Sequence, residues 1–250
     1  GYPKKNNYNV TTIVSNNIIK KSLEDHGFIN VISGGMPFMY TEPNENISVK
    51  KDTLLVILPH SVSYYKWNNA DYKNFTTIFE RINSLKENFK QIDCLVFYDD
   101  FKKKTFDKLI SKHELKVICG ARPNVLDSLV YIRSIFEKYK YVTSFCLGSG
   151  LLYSMFCKGR VSIIEPIFEH SLDFWRSDPY LFKYQELIKV YEYMSSRDYI
   201  YKNFNFLIKD NPIDAKENYD WAKKTIGYEY KIEYEKLREI LSWTTFSKIN

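Results

Sequence analysis

The sequence predicts an α/β protein built on a Rossmann-like, doubly wound parallel sheet. Five short runs of apolar and β-branched residues have the composition of buried parallel strands. The segments between them carry apolar residues three and four positions apart, as amphipathic helices do. Strands that alternate with helices of about 10–15 residues indicate βαβ units, whose crossovers are right-handed.

The elements before the sheet are short. Residues 10–14 form either a strand or the approach to a helix, residues 16–26 form a helix that Gly27 ends, and residues 31–32 form a short strand.

The sheet itself is predicted from the next 120 residues or so. The clearest strand is the apolar run 53–58, which Pro59 ends. The five strands are predicted near residues 54–58, 94–98, 115–119, 141–144 and 161–164. The helices between them are predicted over residues 71–90, 104–113, 124–138 and 151–157. After Pro166 the pattern changes to Tyr-rich helical segments, of which 214–225 and 234–243 are the best formed.

Composition excludes several classes of protein. The 36 basic and 30 acidic residues give a dispersed net charge of +6, and the tight basic run 102–104 is interpreted as a solvated loop or helix start. We therefore expect no nucleic-acid partner. No apolar run reaches the roughly 20 residues of a membrane span. The four cysteines lack CxxC spacing, which favours buried reduced thiols and a cytoplasmic protein without zinc.

Three loops at the carboxyl ends of predicted strands are candidates for a ligand site. The first is Pro59-His60-Ser61. His60 can bind a phosphate oxygen or act as a general acid or base, and Ser61 adds a hydroxyl. The alternative is a histidine that caps a helix or satisfies a loop carbonyl.

The second loop runs from Thr143 and Ser144 to Gly148, Ser149 and Gly150. Small polar residues and glycines before a helix suit an anion site, because backbone N–H groups there point at a phosphate. A tight turn with Ser149 as N-cap is the structural alternative, and both can hold together.

The third candidate is Glu165, which follows the last strand. A carboxylate there can bind the hydroxyls of a ribose, and the alternative is an ordinary surface carboxylate. The pair Asp99-Asp100 either starts the next helix or holds Mg²⁺. We expect no metal site and no cofactor, and the sequence contains no Walker A, GxGxxG, HExxH or GxSxG motif.

Several segments, taken in order, resemble a group of bacterial glycosyltransferases from O-antigen and capsule biosynthesis. That group carries a Ser-Asn-x-x-Gly-Ser/Thr-His-like signature and a Gly-Lys-Pro turn. Here Phe145, Gly150 and Arg160 replace the Asn, the His and the Pro. The resemblance covers roughly residues 31–165, in the segments Gly35-Met36-Pro37-Phe38-Met39-Tyr40, Thr53-Leu54-Leu55-Val56-Ile57-Leu58-Pro59-His60-Ser61, Thr143-Ser144-Phe145-Cys146-Leu147-Gly148-Ser149-Gly150-Leu151-Leu152-Tyr153 and Lys158-Gly159-Arg160-Val161.

The resemblance implies a GT-B-type, metal-independent glycosyltransferase with a nucleotide-sugar donor. GT-B enzymes that use CMP-sugars are similar in having a His loop and a Ser/Thr loop for the nucleotide. The implied domains are 1–45, the tail of a reduced or truncated acceptor-side domain; 46–200, the nucleotide-sugar domain; and 201–250, a helical return segment. The acceptor is expected to be a glycan or lipid-linked glycan, and Asp25 and His26 are candidates for the base.

Two other functions stay open at this point. One is transfer of a phospho-group, such as glycerol phosphate, from a CDP-linked donor. The other is a non-catalytic sugar- or nucleotide-binding partner in a polysaccharide-assembly complex. The basic, aromatic region 180–250 suits peripheral attachment to the inner membrane, or else ordinary packing.

Overall fold

A computed structural model describes residues 11–61, 65–123, 125–179 and 181–241 of the chain. The chain divides into two compact units. The smaller unit comprises Gly1–Glu42 and Asp220–Asn250, and the larger comprises Pro43–Tyr219. The domain bounds implied by the resemblance stay a prediction.

The amino-terminal part of the smaller unit is a βαβ unit. Strand β1 (Thr12–Val14) pairs in parallel with β2 (Val31–Ser33), and helix α1 (Asn17–Asp25) connects them. The Asn16 side chain accepts a hydrogen bond from the Ile19 N–H at 3.0 Å and so caps α1. The structure therefore resolves the segment before α1 as a strand.

The larger unit contains a five-stranded sheet in which every pairing is parallel. Its strands are β3 (Lys50–Ile57), β4 (Gln91–Val96), β5 (Lys116–Cys119), β6 (Tyr139–Ser144) and β7 (Arg160–Ile163), in the order β5-β4-β3-β6-β7. The predicted parallel sheet is confirmed. Predicted strand 94–98 ends earlier, because the chain turns into the next helix at Tyr98.

The strand order creates a switch point between β3 and β6. From β3 the chain steps outward to β4 and β5, and it then crosses back to β6 and β7 on the other side of β3. In open α/β sheets, ligands bind at the carboxyl ends of the strands beside such a point. The loops after β3 and β6 flank that position.

Helices cover both faces of this sheet. On one face, β3 packs against α2 (Asn69–Ser84) and α4 (Asp107–Lys112), and short helix α3 (Tyr98–Lys102) precedes α4. The buried cluster on this face includes Leu54, Val56, Phe75, Ile78, Phe79, Ile82, Phe106 and Ile110.

The other face carries α5 (Ser128–Phe136) and α6 (Ser149–Phe156). A Cβ placed on Gly150 would lie 3.0 Å from Ile57 Cδ1 and 3.5 Å from Phe136 Cζ, so this glycine lets α6 pack closely against β3 and α5. Helices on both faces confirm the doubly wound arrangement.

The chain after β7 is helical, as predicted. Its helices are α7 (Leu172–Ser177), α8 (Gln185–Ser195), α9 (Arg197–Phe204), α10 (Tyr219–Ile226) and α11 (Tyr234–Ile240). Residues 205–209 return to the sheet, where the Lys209 N–H donates to the Ile163 carbonyl at 3.1 Å. Among the helices of the described residues, none is long and apolar enough to cross a membrane.

Candidate active site

His60 lies where the sequence places it, directly after β3 at the carboxyl edge of the sheet. Its ring is exposed, with its centroid 5.0 Å from that of Phe97 and 6.4 Å from that of His170. Its Nδ1 lies 3.0 Å from the Ser61 carbonyl oxygen. That contact orients the ring and leaves Nε2 as the ring nitrogen available to a ligand. A catalytic role for His60 stays a prediction.

Ser61 is buried and holds its loop to helix α3, which follows β4. Its N–H donates to Asp100 Oδ2 at 2.7 Å and its hydroxyl to Asp100 Oδ1 at 2.5 Å. Trp67 Nε1 and the Thr105 hydroxyl also donate to Oδ1, at 3.3 and 3.1 Å. Asp100 is therefore a fully buried carboxylate with four donors. In this arrangement Ser61 positions His60 by fixing the loop.

Thr143 and Ser144 are also occupied within the protein. Thr143 is completely buried, and its hydroxyl bonds to the Ser162 carbonyl oxygen and side chain at 3.2 and 3.0 Å. The Ser144 hydroxyl donates to the Ile57 carbonyl at 2.9 Å and accepts from the Cys146 N–H at 3.3 Å. Their hydroxyls tie β6 to its neighbours and shape the following turn, so ligand contact by either residue stays a prediction.

The turn after β6 is open at Gly148 and packed at Gly150. Among the described residues, nothing beyond the adjoining backbone lies within 4 Å of a Cβ built on Gly148, and Gly148 and Ser149 are both exposed. Gly148 is the N-cap residue of α6 but has no side chain to bond the first N–H groups of that helix. A ligand oxygen can approach the N-terminus of α6 from the solvent side.

Glu165 forms a hydrogen bond and an ion pair with two residues of α9. Its carboxylate accepts from the Tyr201 hydroxyl at 2.8 Å, from the Ile167 N–H at 2.9 Å and from Arg197 Nε at 3.0 Å. Burial raises the pKa of Glu165, but the hydrogen bonds from Tyr201 and Ile167 and the charge of Arg197 outweigh it, so the pKa is lowered. A ribose that binds Glu165 would have to share it with these partners.

His170 lies beside His60, with 6.4 Å between the two ring centroids. Its ring stacks on Phe174 at 3.8 Å between centroids and lies parallel to the Trp67 ring at 6.1 Å. Its Nδ1 is buried and has no hydrogen-bond partner among the described residues. Burial, with a smaller effect from nearby His60, lowers its pKa to about 3. His170 is thus a neutral ring beside the exposed His60.

Two cysteines of the larger unit, Cys146 after β6 and Cys157 at the end of α6, are poor nucleophiles. Burial raises the pKa of the Cys146 thiol to about 11 and that of Cys157 to about 12, so both are protonated at neutral pH. In the described part of the chain, no group of three or more His, Cys, Asp or Glu side chains could hold a metal ion. The carboxylate oxygens of Asp100, one of the suggested Mg²⁺ ligands, accept hydrogen bonds from protein donors instead.

The two suggested bases lie in the smaller unit. Asp25 is the last residue of α1, and His26 follows it; both are exposed. His26 Nδ1 lies 2.6 Å from the Ser22 carbonyl oxygen. Their part in any reaction stays a prediction.

No protein-family model matches this chain, and no curated protein matches it in sequence. Among solved structures, it is similar to the pneumococcal O-GlcNAc transferase GtfA in complex with UDP and GlcNAc, with a TM-score of 0.45 and 11% identity over 95% of this chain and 47% of that one. The structure of TarM is similar with a TM-score of 0.37 and 14% identity, over 93% of this chain and 43% of that one. The chain spans less than half the length of either of these proteins.

Proposed function

We propose that this protein is a GT-B-type glycosyltransferase that moves a sugar from a nucleotide-sugar donor to a growing bacterial surface polysaccharide. The observation that carries the proposal is that the loop with His60 and the open turn at Gly148 follow β3 and β6, the two neighbouring strands at the switch point. The sequence resemblance supports the polysaccharide acceptor and suggests a CMP-linked donor. A cytoplasmic protein attached peripherally to the inner membrane fits this role.

In the proposed reaction, negative charge develops on the leaving phosphate, beside the loops that follow β3 and β6. The bond between the anomeric carbon and the donor phosphate breaks, and the acceptor oxygen bonds to that carbon. The leaving phosphate gains negative charge, which the first N–H groups of α6 and a donor from His60 stabilise. A base takes the proton of the acceptor hydroxyl, and Asp25 and His26 remain candidates for that step.

The two runner-up functions use the same edge of the sheet. Transfer of a phospho-group from a CDP donor needs the same phosphate contacts, so the two differ only in which bond of the donor breaks. A non-catalytic binding partner would keep the nucleotide contacts and lack turnover. Its support is the replacement of the expected Asn and His by Phe145, which is buried, and Gly150, which is required for packing.

The first test measures binding. Thermal unfolding with CMP, UDP, GDP and CDP-glycerol should show one nucleotide that raises the unfolding temperature, because a ligand of the native state stabilises it. Hydrolysis or transfer of the matching donor then separates an enzyme from a binding partner. Stabilisation by none of the four would contradict the proposal and its runners-up together.

The second test is His60→Ala. We expect donor turnover to fall by about 10²-fold or more if His60 is an acid, base or phosphate ligand. His26→Ala is the matched histidine control for donor binding, since it lies in the smaller unit, and nucleotide affinity should be unchanged there. Normal turnover in His60→Ala would leave His60 with only a structural role.

A further inference from the structure

A second cleft, lined by lysines, opens beside the Ser61–Asp100 contact. Its volume is about 830 Å³, within the usual range for small-molecule sites. One wall comes from the amino-terminal half of α2 and the other from the α3–α4 segment. Lys66, Lys103, Lys104 and Lys108 line it. Two of these lysines belong to the basic run that the sequence suggested was merely solvated.

The cleft carries a net positive charge. None of its four lysines forms an ion pair with a described residue, although such pairs are present elsewhere in the larger unit. In the described part of the chain, Asp100 is the one carboxylate that lines the cleft, and its two oxygens already accept four hydrogen bonds. The lysine ammonium groups are therefore free to attract an anion.

Aromatic rings and hydroxyls line the same space. Tyr72 is 43% exposed, and Trp67, Thr76 and Thr105 also line the cleft. An aromatic ring packs well against the apolar face of a sugar, and the two threonine hydroxyls, which donate to the Tyr72 carbonyl and to Asp100, can still accept a hydrogen bond from a sugar hydroxyl. A bare inorganic ion would use only the lysines.

We propose that this cleft binds a sugar that carries a phosphate ester, with the phosphate on the lysines and the sugar against Tyr72. The proposal rests on the proposed function only in that both draw on sugar chemistry. The phosphate can come from the donor or from a phosphorylated acceptor. The cleft lies between α2 and the α3–α4 segment, and Ser61, which also lines it, directly follows His60 of the proposed donor site. Nucleotide binding therefore has to distinguish the two sources.

The test compares two charge-matched double variants. Lys103→Gln/Lys108→Gln removes two charges from the cleft, and Lys183→Gln/Lys189→Gln removes two exposed charges elsewhere in the larger unit. Calorimetry with glucose 1-phosphate should show a Kd at least about tenfold weaker in the cleft variant than in the control. Glucose and inorganic phosphate should each bind the wild type more weakly than glucose 1-phosphate. Tyr72→Ala should weaken the binding of glucose 1-phosphate without changing the affinity for inorganic phosphate.

Nucleotide binding to the same variants identifies the source of the phosphate. The nucleotide selected in the thermal panel should bind the cleft variant normally if the phosphate belongs to an acceptor, and weakly if it belongs to the donor. Equal glucose 1-phosphate affinities in the two double variants, or no binding to the wild type at millimolar concentration, would overturn the proposal. Nucleotide binding is measured separately, and His60→Ala tests the switch-point site. A result that contradicts sugar-phosphate binding in the cleft therefore does not contradict the proposed function.

Discussion

His170 couples the candidate site to the stability of the protein. Its ring lies in an aromatic stack, its Nδ1 is unsatisfied among the described residues, and its pKa is about 3. The unfolded chain holds a histidine with a pKa near 6.5. As the pH falls below about 6.5, this histidine takes up a proton in the unfolded chain while it stays neutral in the folded protein. The stability contributed by neutral His170 is therefore complete above about pH 6.5 and is lost progressively toward pH 3.

His170→Phe should make the protein less sensitive to acid. Phenylalanine keeps an aromatic ring against Phe174 and removes both the unsatisfied nitrogen and the protonation site. Between pH 6.5 and pH 4, the wild type should lose up to about 1.4 kcal/mol of unfolding free energy per pH unit more than the variant does. Urea unfolding at several pH values measures this difference.

The control for this series is His26→Gln, because His26 is exposed at the end of α1. A pH profile that changes in His170→Phe and not in His26→Gln would assign the effect to the buried aromatic stack. Parallel profiles for wild type and His170→Phe would contradict the burial argument. Donor turnover in His170→Phe adds a second readout, since a loss there would show that the site needs a neutral imidazole beside His60.

The two glycines at the start of α6 should respond differently to substitution. Gly148 has an extended backbone and open space around its Cβ position, so Gly148→Val should fold normally and obstruct a ligand there. Gly150→Val would push into Ile57 and Phe136, and overpacking of this kind costs roughly 1–3 kcal/mol. We expect weakened nucleotide binding with normal stability in the first variant, and reduced stability in the second.

Urea unfolding and nucleotide calorimetry on the same two proteins check this pair. Gly148→Ala is the mild control, because a single methyl group fits the open space and leaves most of the approach to α6 free. Unchanged nucleotide affinity in Gly148→Val would move the donor site away from α6.

The elements themselves were largely predictable because their signals are local. The apolar run of β3 and the spacing of Phe75, Ile78 and Ile82 in α2 indicate a strand and a helix without reference to the rest of the chain. The start of α2 was less obvious. Asn68 caps it three residues before the predicted start, with its side chain accepting from the Ala70 and Asp71 N–H groups at 2.8 and 3.0 Å.

The site was only partly predictable because its contacts are long-range. That His60 follows a strand can be read locally, but the bond between Ser61 and Asp100 joins residues 39 positions apart. Likewise, Arg197 and Tyr201 reach Glu165 from a later helix. That Lys103 and Lys104 of the basic run 102–104 line the same cleft as Lys66 follows from the fold and cannot be predicted from the run itself.

At the scale of the whole molecule, the larger unit has the features of an independent folding unit. Its buried cluster runs from Leu54 to Phe168, so the main core is contained within residues 43–219. Both the switch-point site and the lysine cleft lie within the same range. The smaller unit combines the two ends of the chain, where Ile232 N–H donates to the Tyr40 hydroxyl at 2.9 Å and Met36 N–H donates to the Ile226 carbonyl at 2.8 Å.

A fragment of residues 43–219 should therefore fold cooperatively and bind the nucleotide selected by the full chain. Its affinity should lie within a few-fold of the full-length value, because both loops at the switch point are present and their supporting network through Asp100 is intact. Turnover should be lost if Asp25 or His26 supplies the base, since the fragment lacks both. Circular dichroism during urea unfolding tests the folding, and calorimetry tests the binding. A fragment that unfolds without a cooperative transition would show that the larger unit needs the chain ends, and a folded fragment without affinity would place part of the donor site in the smaller unit.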